Sequence, residues 1–300
     1  MITESYGHLL DDAWSVDVCN PVNFTHALGK GLLAWWLYLP QLCAGGTRWV
    51  SLAGPTPGTL TTIANAPTAT SGWKRGSIRK GGFGELRLDG TNDHVTFGTT
   101  DRLRPTTLTV CCWTWATAAP ASDYAGIVTH NRFGQPEGWA LYLDTTGKLT
   151  FQIGDATTST NPVDPAVFTL GAWTHIAGTY DGVNARLYKN GLLLDTDART
   201  TIAYEAAQQA ALGTWSTVAA TPYYTGFLDD VRVYSRPLSE KEISQVYHHS
   251  RLWYPDLLNR FPLPTGKAAA VAGRTTKNTR SMGLGLQQGM GWQSHIGRVA

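Results

Sequence analysis

The chain has 300 residues, 42% of them hydrophobic and only 15% charged, with a net charge of +2. That is apolar material for one large or two small cores. It is too little charge for a global field that would steer the molecule to nucleic acid.

In chain order, residues 1–29 show neither periodicity nor strong turn signals and read as an arm. Their start, MITESYGHLLDDAWSVDVCN, lacks the basic flank and continuous apolar run of a secretory signal. The run GLLAWWLYLP is the most apolar segment and is far too short to span a bilayer. Residues 30–104 mix short apolar runs with Gly/Pro/Thr loops. From Leu86 the alternation is clean, through LTVCCWTWA, AGIVTH, WALYLD, KLTFQIG, THIAGTY, ARLYK, LLLDTD and LDDVRVY. Short runs rich in β-branched and aromatic residues, bounded by Gly, Pro, Asn or Asp, predict an all-β sandwich or barrel. Asn190-Gly191 tolerates the positive φ angles of a type I′ turn and predicts a hairpin. The segments Asp144 to Lys148 and Asp181-Gly182 predict two more turns. One helix is predicted after Pro237. Ser239 caps it, Glu242 completes a capping box, and Ile243, Val246 and Tyr247 form its apolar face.

Residues 248–300 carry Pro255, Pro262, Pro264 and many glycines without either periodicity, so they form no core alone. Within them, residues 251–300 hold seven Lys/Arg against the single acid Asp256, a local +6 that leaves −4 on the remainder. Arg251, Arg260, Arg274 and Arg280 are therefore expected to dock on an acidic neighbouring subunit. Contact with nucleic acid, with Trp253, Tyr254 and Trp292 stacking on bases, is the less favoured alternative. The four cysteines, Cys19, Cys43, Cys111 and Cys112, read as free thiols of a reducing compartment. Cys111 and Cys112 are adjacent in a predicted strand and point to opposite faces.

The ordered set GLLAWW, PGTLT, GGFGELRLDGTNDHVTF, LTVCCWTW, GAWTHIAGTYDGVNARLYKNG and FLDDVRVYSRPLSEKEI resembles the laminin-G-like, concanavalin A-like jelly-roll domain. The resemblance covers residues 30–247. It implies an antiparallel β-sandwich with one short C-terminal helix, flanked here by arms at 1–29 and 248–300. The superfamily includes lectins, adhesion modules, accessory domains of glycan-degrading enzymes and virion surface proteins, and fold alone does not choose among them.

Candidate sites follow. Alternation in FLDDVRVY puts Asp229 on the face of Val231 and Val233, hence inward, and a buried carboxylate needs a partner. In related sandwiches the matching Asp ligates a structural calcium ion. The resemblance thus implies a Ca²⁺ site from Asp229, Asp89 and the Gly90 carbonyl. The alternative is an Asp bonded to backbone N–H groups or Arg. The loop HNRFGQPEG, with Asn131, Arg132 and Phe133, is long enough to shape a ligand rim; its alternative is a plain solvent loop. Strand-borne Trp113, Trp115, Trp139, Trp173 and Trp215 include core residues and candidates for stacking on a sugar ring. Parity does not separate them.

Enzymes on this scaffold carry paired carboxylates in a Glu-x-Asp-x-Glu run. None occurs here, and the six glutamates read as lying outside the central strands or in the helix. His175 sits in an ordinary strand motif. PTGKAAA lacks the Ser/Thr and first Gly of a phosphate loop, and no Cys-x-x-Cys suggests zinc. The chain therefore reads as non-enzymatic. The leading expectation is a virion surface component, a decoration, spike or fibre protein made in the host cytoplasm. It would be homo-oligomeric, contact other subunits through its arms, and make no membrane contact. The alternative is an extracellular carbohydrate-binding lectin or adhesion module; a glycan-degrading enzyme ranks third.

Overall fold

A computed structural model describes residues 26–38, 48–63, 70–75, 84–120, 123–132, 134–215 and 223–249. All belong to one of the two compact units into which the chain divides, Met1–Phe261; the other, Pro262–Ala300, lies outside the described residues. The described strands are β1 Leu32–Trp36, β2 Arg48–Trp49, β3 Gly58–Thr61, β4 Gly72–Arg75, β5 Gly84–Asp89, β6 His94–Thr96, β7 Leu108–Ala116, β8 Ala125–His130 and β9 Gly138–Leu143. They continue with β10 Lys148–Gly154, β11 Ser159–Thr160, β12 Val163–Val167, β13 Thr174–Tyr180, β14 Asn184–Lys189, β15 Leu192–Ala198, β16 Ala211–Leu212 and β17 Thr225–Tyr234. Helix α1 spans Glu240–His249 and closes the described chain.

The strands form two antiparallel sheets. One has the order β15-β14-β13-β7-β17-β5-β4, with β1 also paired to β17. The other runs β11-β10-β9-β8-β16-β6-β3-β2, with β12 paired to β10. Alternation sorts the side chains. In β10, Leu149, Phe151 and Ile153 enter the core, which also takes Trp139, Leu141 and Leu143 from β9 and Leu108, Val110 and Cys112 from β7. Cys111 joins a second cluster instead, the opposite-face placement its neighbour demands. That cluster seats α1, through Ile243 and Val246, together with Leu28, Trp35, Tyr188 and Tyr234. Each fully buried aliphatic side chain contributes roughly 2 kcal/mol. The β-sandwich predicted from alternation and turn residues is the fold observed. Cys19 and Cys43 lie outside the described residues.

The local signals act as read. Asn190 and Gly191 take φ angles of 51° and 80°, and the Asn190 side-chain oxygen accepts from the His175 N–H at 2.9 Å. Asp144 accepts from the N–H groups of Thr146 and Lys148 at 2.8 and 2.9 Å. Asp181 accepts from those of Val183 and Asn184 at 2.8 and 2.6 Å. In the capping box, the Ser239 N–H donates to Glu242 at 2.9 Å and the Glu242 N–H donates to Ser239 Oγ at 3.3 Å. Arg236 adds a bidentate pair to the same carboxylate, at 2.7 and 3.0 Å. No helix among the described residues is long and apolar enough to cross a membrane.

The strict alternation predicted for FLDDVRVY fails. A bulge interrupts the β17–β7 register between Asp229 and Arg232, and Asp230 adopts φ 55°. Leu228 and Val231, three positions apart, both enter the core. The extra residue gives β17 two adjacent buried acids with separate partners. Asp229 accepts from the Tyr38 N–H at 3.2 Å. Asp230 accepts from Trp35 Nε1 at 2.6 Å and from Arg232 Nε and Nη2 at 2.8 and 3.1 Å. Burial alone would lower the Arg232 pKa; the Asp230 carboxylate overrides it and holds the guanidinium above its ordinary value.

Candidate functional site

A cleft opens on the outer face of the β8–β9–β10 sheet. With Trp139, Leu141 and Leu143 committed to the core, Ala140 and Tyr142 of β9 must face away from it, as must Thr150 and Gln152 of β10. The register sets Tyr142 between Thr150 and Gly126, and Ala140 between Gln152 and Thr129. Trp215, just beyond β16, folds over this face to 5.3 Å from the Tyr142 ring, and Ala140, Tyr142 and Trp215 form a cluster apart from the main core. Tyr124 meets Tyr142 edge-on at 5.5 Å and 89°. Its carbonyl accepts from Trp215 Nε1 at 2.7 Å. Tyr124 is 41% exposed and is the open ring of the three; Tyr142 and Trp215 support it from behind. Burial, with the neighbouring Tyr124, pushes the Tyr142 phenol well above its ordinary pKa, so it stays a neutral hydroxyl.

Opposite the aromatics stands a polar wall, and the cavity between them holds about 410 Å³. The wall comes from the β8–β9 loop, through Gly134, Gln135 and Pro136, and from Thr157, Thr158, Ser159 and Asn161 after β10. Gln152 binds loop to floor: its Nε2 donates to the carbonyls of Gln135 and Pro136 at 3.1 and 3.2 Å. Both amide hydrogens are thereby used, and the amide oxygen is left as an acceptor. Gly154 permits the approach, since a Cβ there would lie 1.7 Å from the Pro136 carbonyl oxygen. Asp155 builds the other turn, accepting from the Thr157 N–H and hydroxyl at 2.9 and 2.7 Å and from the Thr158 N–H at 3.0 Å. Hydrogen bonds from Thr201 first, then Thr157, hold its carboxyl well below the usual range. Arg199 pairs with it at 2.5 Å and donates to Thr158 Oγ1 at 2.7 Å.

The loop expected to form a rim does so, through other residues. Asn131 follows β8 directly and is fully buried, and Arg132 pairs with Glu205 at 3.6 Å; Phe133 lies outside the described residues. The cleft is lined by the three residues after them. The residues implied for calcium do not converge. Asp89 pairs in register with Thr225, four residues before Asp229, which is roughly 13 Å along a strand. Asp89 Oδ1 accepts from the Thr91 N–H at 2.8 Å, and a Cβ on Gly90 would meet Thr225 Oγ1 at 1.8 Å, so the pair builds a tight turn. Asp229 instead takes the backbone N–H bond held open as its alternative. Among the described residues no group of three or more His, Cys, Asp or Glu could hold a metal ion. These residues do not fit a Ca²⁺ ion. Arg251, Arg260, Arg274 and Arg280 lie outside the described residues.

Of the tryptophans, Trp139 is core, with Nε1 donating to the Leu103 carbonyl at 3.3 Å. Trp113 stacks on Tyr247 of α1 at 5.5 Å, beside the buried His175. Trp115 and Trp173 pack with Phe227, over which Arg87 lies at 4.5 Å. Of the five tryptophans singled out as strand-borne, Trp215 joins the cleft. Glu85 corrects the reading of the glutamates, for it sits fully buried in β5, paired with Arg87 at 3.0 Å. Tyr124, Tyr142 and Gln152 escaped the sequence reading; fixing Trp139 inward would have revealed Tyr142 by parity.

A family model described as the concanavalin A-like lectin/glucanases superfamily matches residues 89–244. No curated protein matches the chain. Among solved structures, it is similar to Trypanosoma rangeli sialidase in complex with sialic acid, at 14% identity and TM-score 0.54, over 85% of this chain and 38% of that one. It is similar to domain 4 of AbnA, an extracellular arabinanase from Geobacillus stearothermophilus solved with arabinotriose, at 17% identity and TM-score 0.52, over 72% of this chain and 98% of that domain. The binding domain of Paraclostridial Mosquitocidal Protein 1 aligns at 15% identity and TM-score 0.56, over 73% and 52%. The chain spans well under half the length of the sialidase it matches. At these identities the likeness is one of fold.

These neighbours correct the reading of the chain as a non-enzyme. A sialidase shares the fold over 38% of its length, so a missing Glu-x-Asp-x-Glu run excludes one arrangement of carboxylates rather than catalysis as such. The lectin-like sandwich itself stands on both the strand topology and the matched model: this chain belongs to the concanavalin A-like lectin/glucanases superfamily.

Proposed function

We propose that this sandwich binds carbohydrate in the cleft on the outer face of β8, β9 and β10. The observation that carries the reading is the aromatic group Tyr124, Tyr142 and Trp215 facing a wall of hydroxyls and amides across about 410 Å³. A sugar ring presents an apolar C–H face and a rim of hydroxyls. The aromatic side suits the first, while Gln152, Thr158 and Asn161 supply acceptors and donors for the second. The volume is at the lower end for small-ligand pockets and suits one or two sugar units. The likeness to an arabinanase domain solved with arabinotriose supports the reading. Glycan-array screening followed by calorimetry on the best binder tests it. Tyr124→Ala and Gln152→Ala should each weaken binding by roughly tenfold, the usual effect of truncating a central contact. Variants that bind as tightly as the parent chain would overturn the assignment.

A second reading concerns where the sandwich is displayed. The seven basic residues against one acid in 251–300 favour a segment that docks on an acidic surface, as in a particle whose exterior this domain decorates as a spike or fibre component. Mass spectrometry of purified particles tests this: the chain should be present in stoichiometric amount, and its absence removes the reading.

A further inference from the structure

We infer that the cleft selects uncharged glycans and rejects acidic ones, those bearing sialic acid, uronic acid or sulfate. The inference rests on the reading of this cleft as a glycan site and adds the class of glycan it takes. An anionic sugar loses hydration on entering a cleft and needs a cation or a cluster of N–H donors in return. None of the described residues that line the cavity is charged. The segments adjoining them in sequence, 121–122, 133 and 216–222, contain no charged residue either.

Two arginines on segments next to the lining residues already face acids. Arg199 stands behind the wall, with Nη2 paired to Asp155 at 2.5 Å, Nη1 donating to Thr158 Oγ1 at 2.7 Å and Nε donating to the Thr201 carbonyl at 2.8 Å. It therefore orients the Thr158 hydroxyl without offering net positive charge. Arg132, on the β8–β9 loop of the same wall, lies 3.6 Å from the Glu205 carboxylate. The remaining charges next to lining residues in sequence are acids, Asp123 beside Tyr124 and Glu137 beside Pro136. They repel an anion. The polar groups facing the cavity are neutral: the Gln152 amide oxygen, the Thr158 and Ser159 hydroxyls and the Asn161 amide. Asn161 Nδ2 donates to Ser159 Oγ at 3.3 Å, which leaves the Ser159 hydroxyl hydrogen to donate outward. Alternating donors and acceptors of this kind match sugar hydroxyls, each of which both donates and accepts.

The test is an array of matched pairs, neutral oligosaccharides such as N-acetyllactosamine and arabinotriose chains beside sialylated, sulfated or uronic-acid-bearing counterparts, probed with the full chain. Calorimetry on the strongest pair follows. Neutral members should bind, and their acidic partners should bind roughly tenfold more weakly, with a gap that narrows as salt screens the repulsion. In Gln135→Lys, which places a cation on the exposed lip, the gap should shrink or invert. Acidic members that bind as well as or better than neutral ones would overturn the selectivity while leaving the cleft a glycan site. Failure of every member to bind would overturn the glycan reading itself, and the selectivity with it.

Discussion

His130 ends β8 with its ring enclosed by Tyr204 at 5.1 Å and Trp139 at 5.9 Å, and no part of the residue reaches solvent. Burial, with the nearby Arg104 adding repulsion, pushes its imidazole down to about 4. The consequence for stability has a definite sign. In the unfolded chain an imidazole takes up a proton as pH falls through about 6.5, whereas in the folded chain it does so only near 4. Between these values the unfolded state binds more protons, so falling pH favours unfolding. The stability that His130 contributes as a neutral group is complete above 6.5 and is lost as pH falls toward 4, to a total of about 3 kcal/mol. Urea denaturation at a series of pH values should show this slope, and His130→Gln should flatten it within the same window. A variant whose slope matches the parent chain would place the acid sensitivity elsewhere.

Strands and turns show why some of this architecture could be read in advance and some could not. Asn190-Gly191, the Asp144 to Lys148 turn and the Ser239/Glu242 capping box were legible because each is specified within a few consecutive residues. The runs KLTFQIG and THIAGTY coincide with β10 and β13, since alternation needs no knowledge of the partner strand. The bulge in β17 was not legible. One inserted residue leaves no mark in composition, yet it shifts every side chain beyond it to the other face. The aromatic side of the cleft was hidden for a related reason: Tyr124, Tyr142 and Trp215 come from three segments whose meeting depends on register. The bulge also carries a prediction. Asp230→Asn keeps a side chain that tolerates φ 55° and still accepts from Trp35, but strips the countercharge from Arg232, which is 3% exposed. Removing one charge of a buried ion pair costs about 3 kcal/mol or more. Thermal melts should show a loss of this size, and equal melting of variant and parent would mean the ion pair adds nothing net.

The molecule as a whole keeps its two proposed roles in different parts of the chain. Every residue of the core clusters lies between Leu28 and Val246, and every described cleft residue between Tyr124 and Trp215. The basic segment begins at Arg251, after the last described turn of α1. A chain ended after His249 thus retains the described inter-sheet core, the packing of α1 on the β13–β7–β17 face and every described residue of the cleft. It should melt within a few degrees of the full chain and bind the same glycans with unchanged affinity, as calorimetry on both would show. Its net charge falls from +2 to −4, because the removed residues carry +6. If the basic segment docks the molecule on an acidic surface, particle association must vanish while glycan binding survives. Retention of both would show that the segment plays no part in docking. Loss of both would show that the sandwich draws stability from residues beyond α1, and would contradict the separation of core and tail from which the prediction starts.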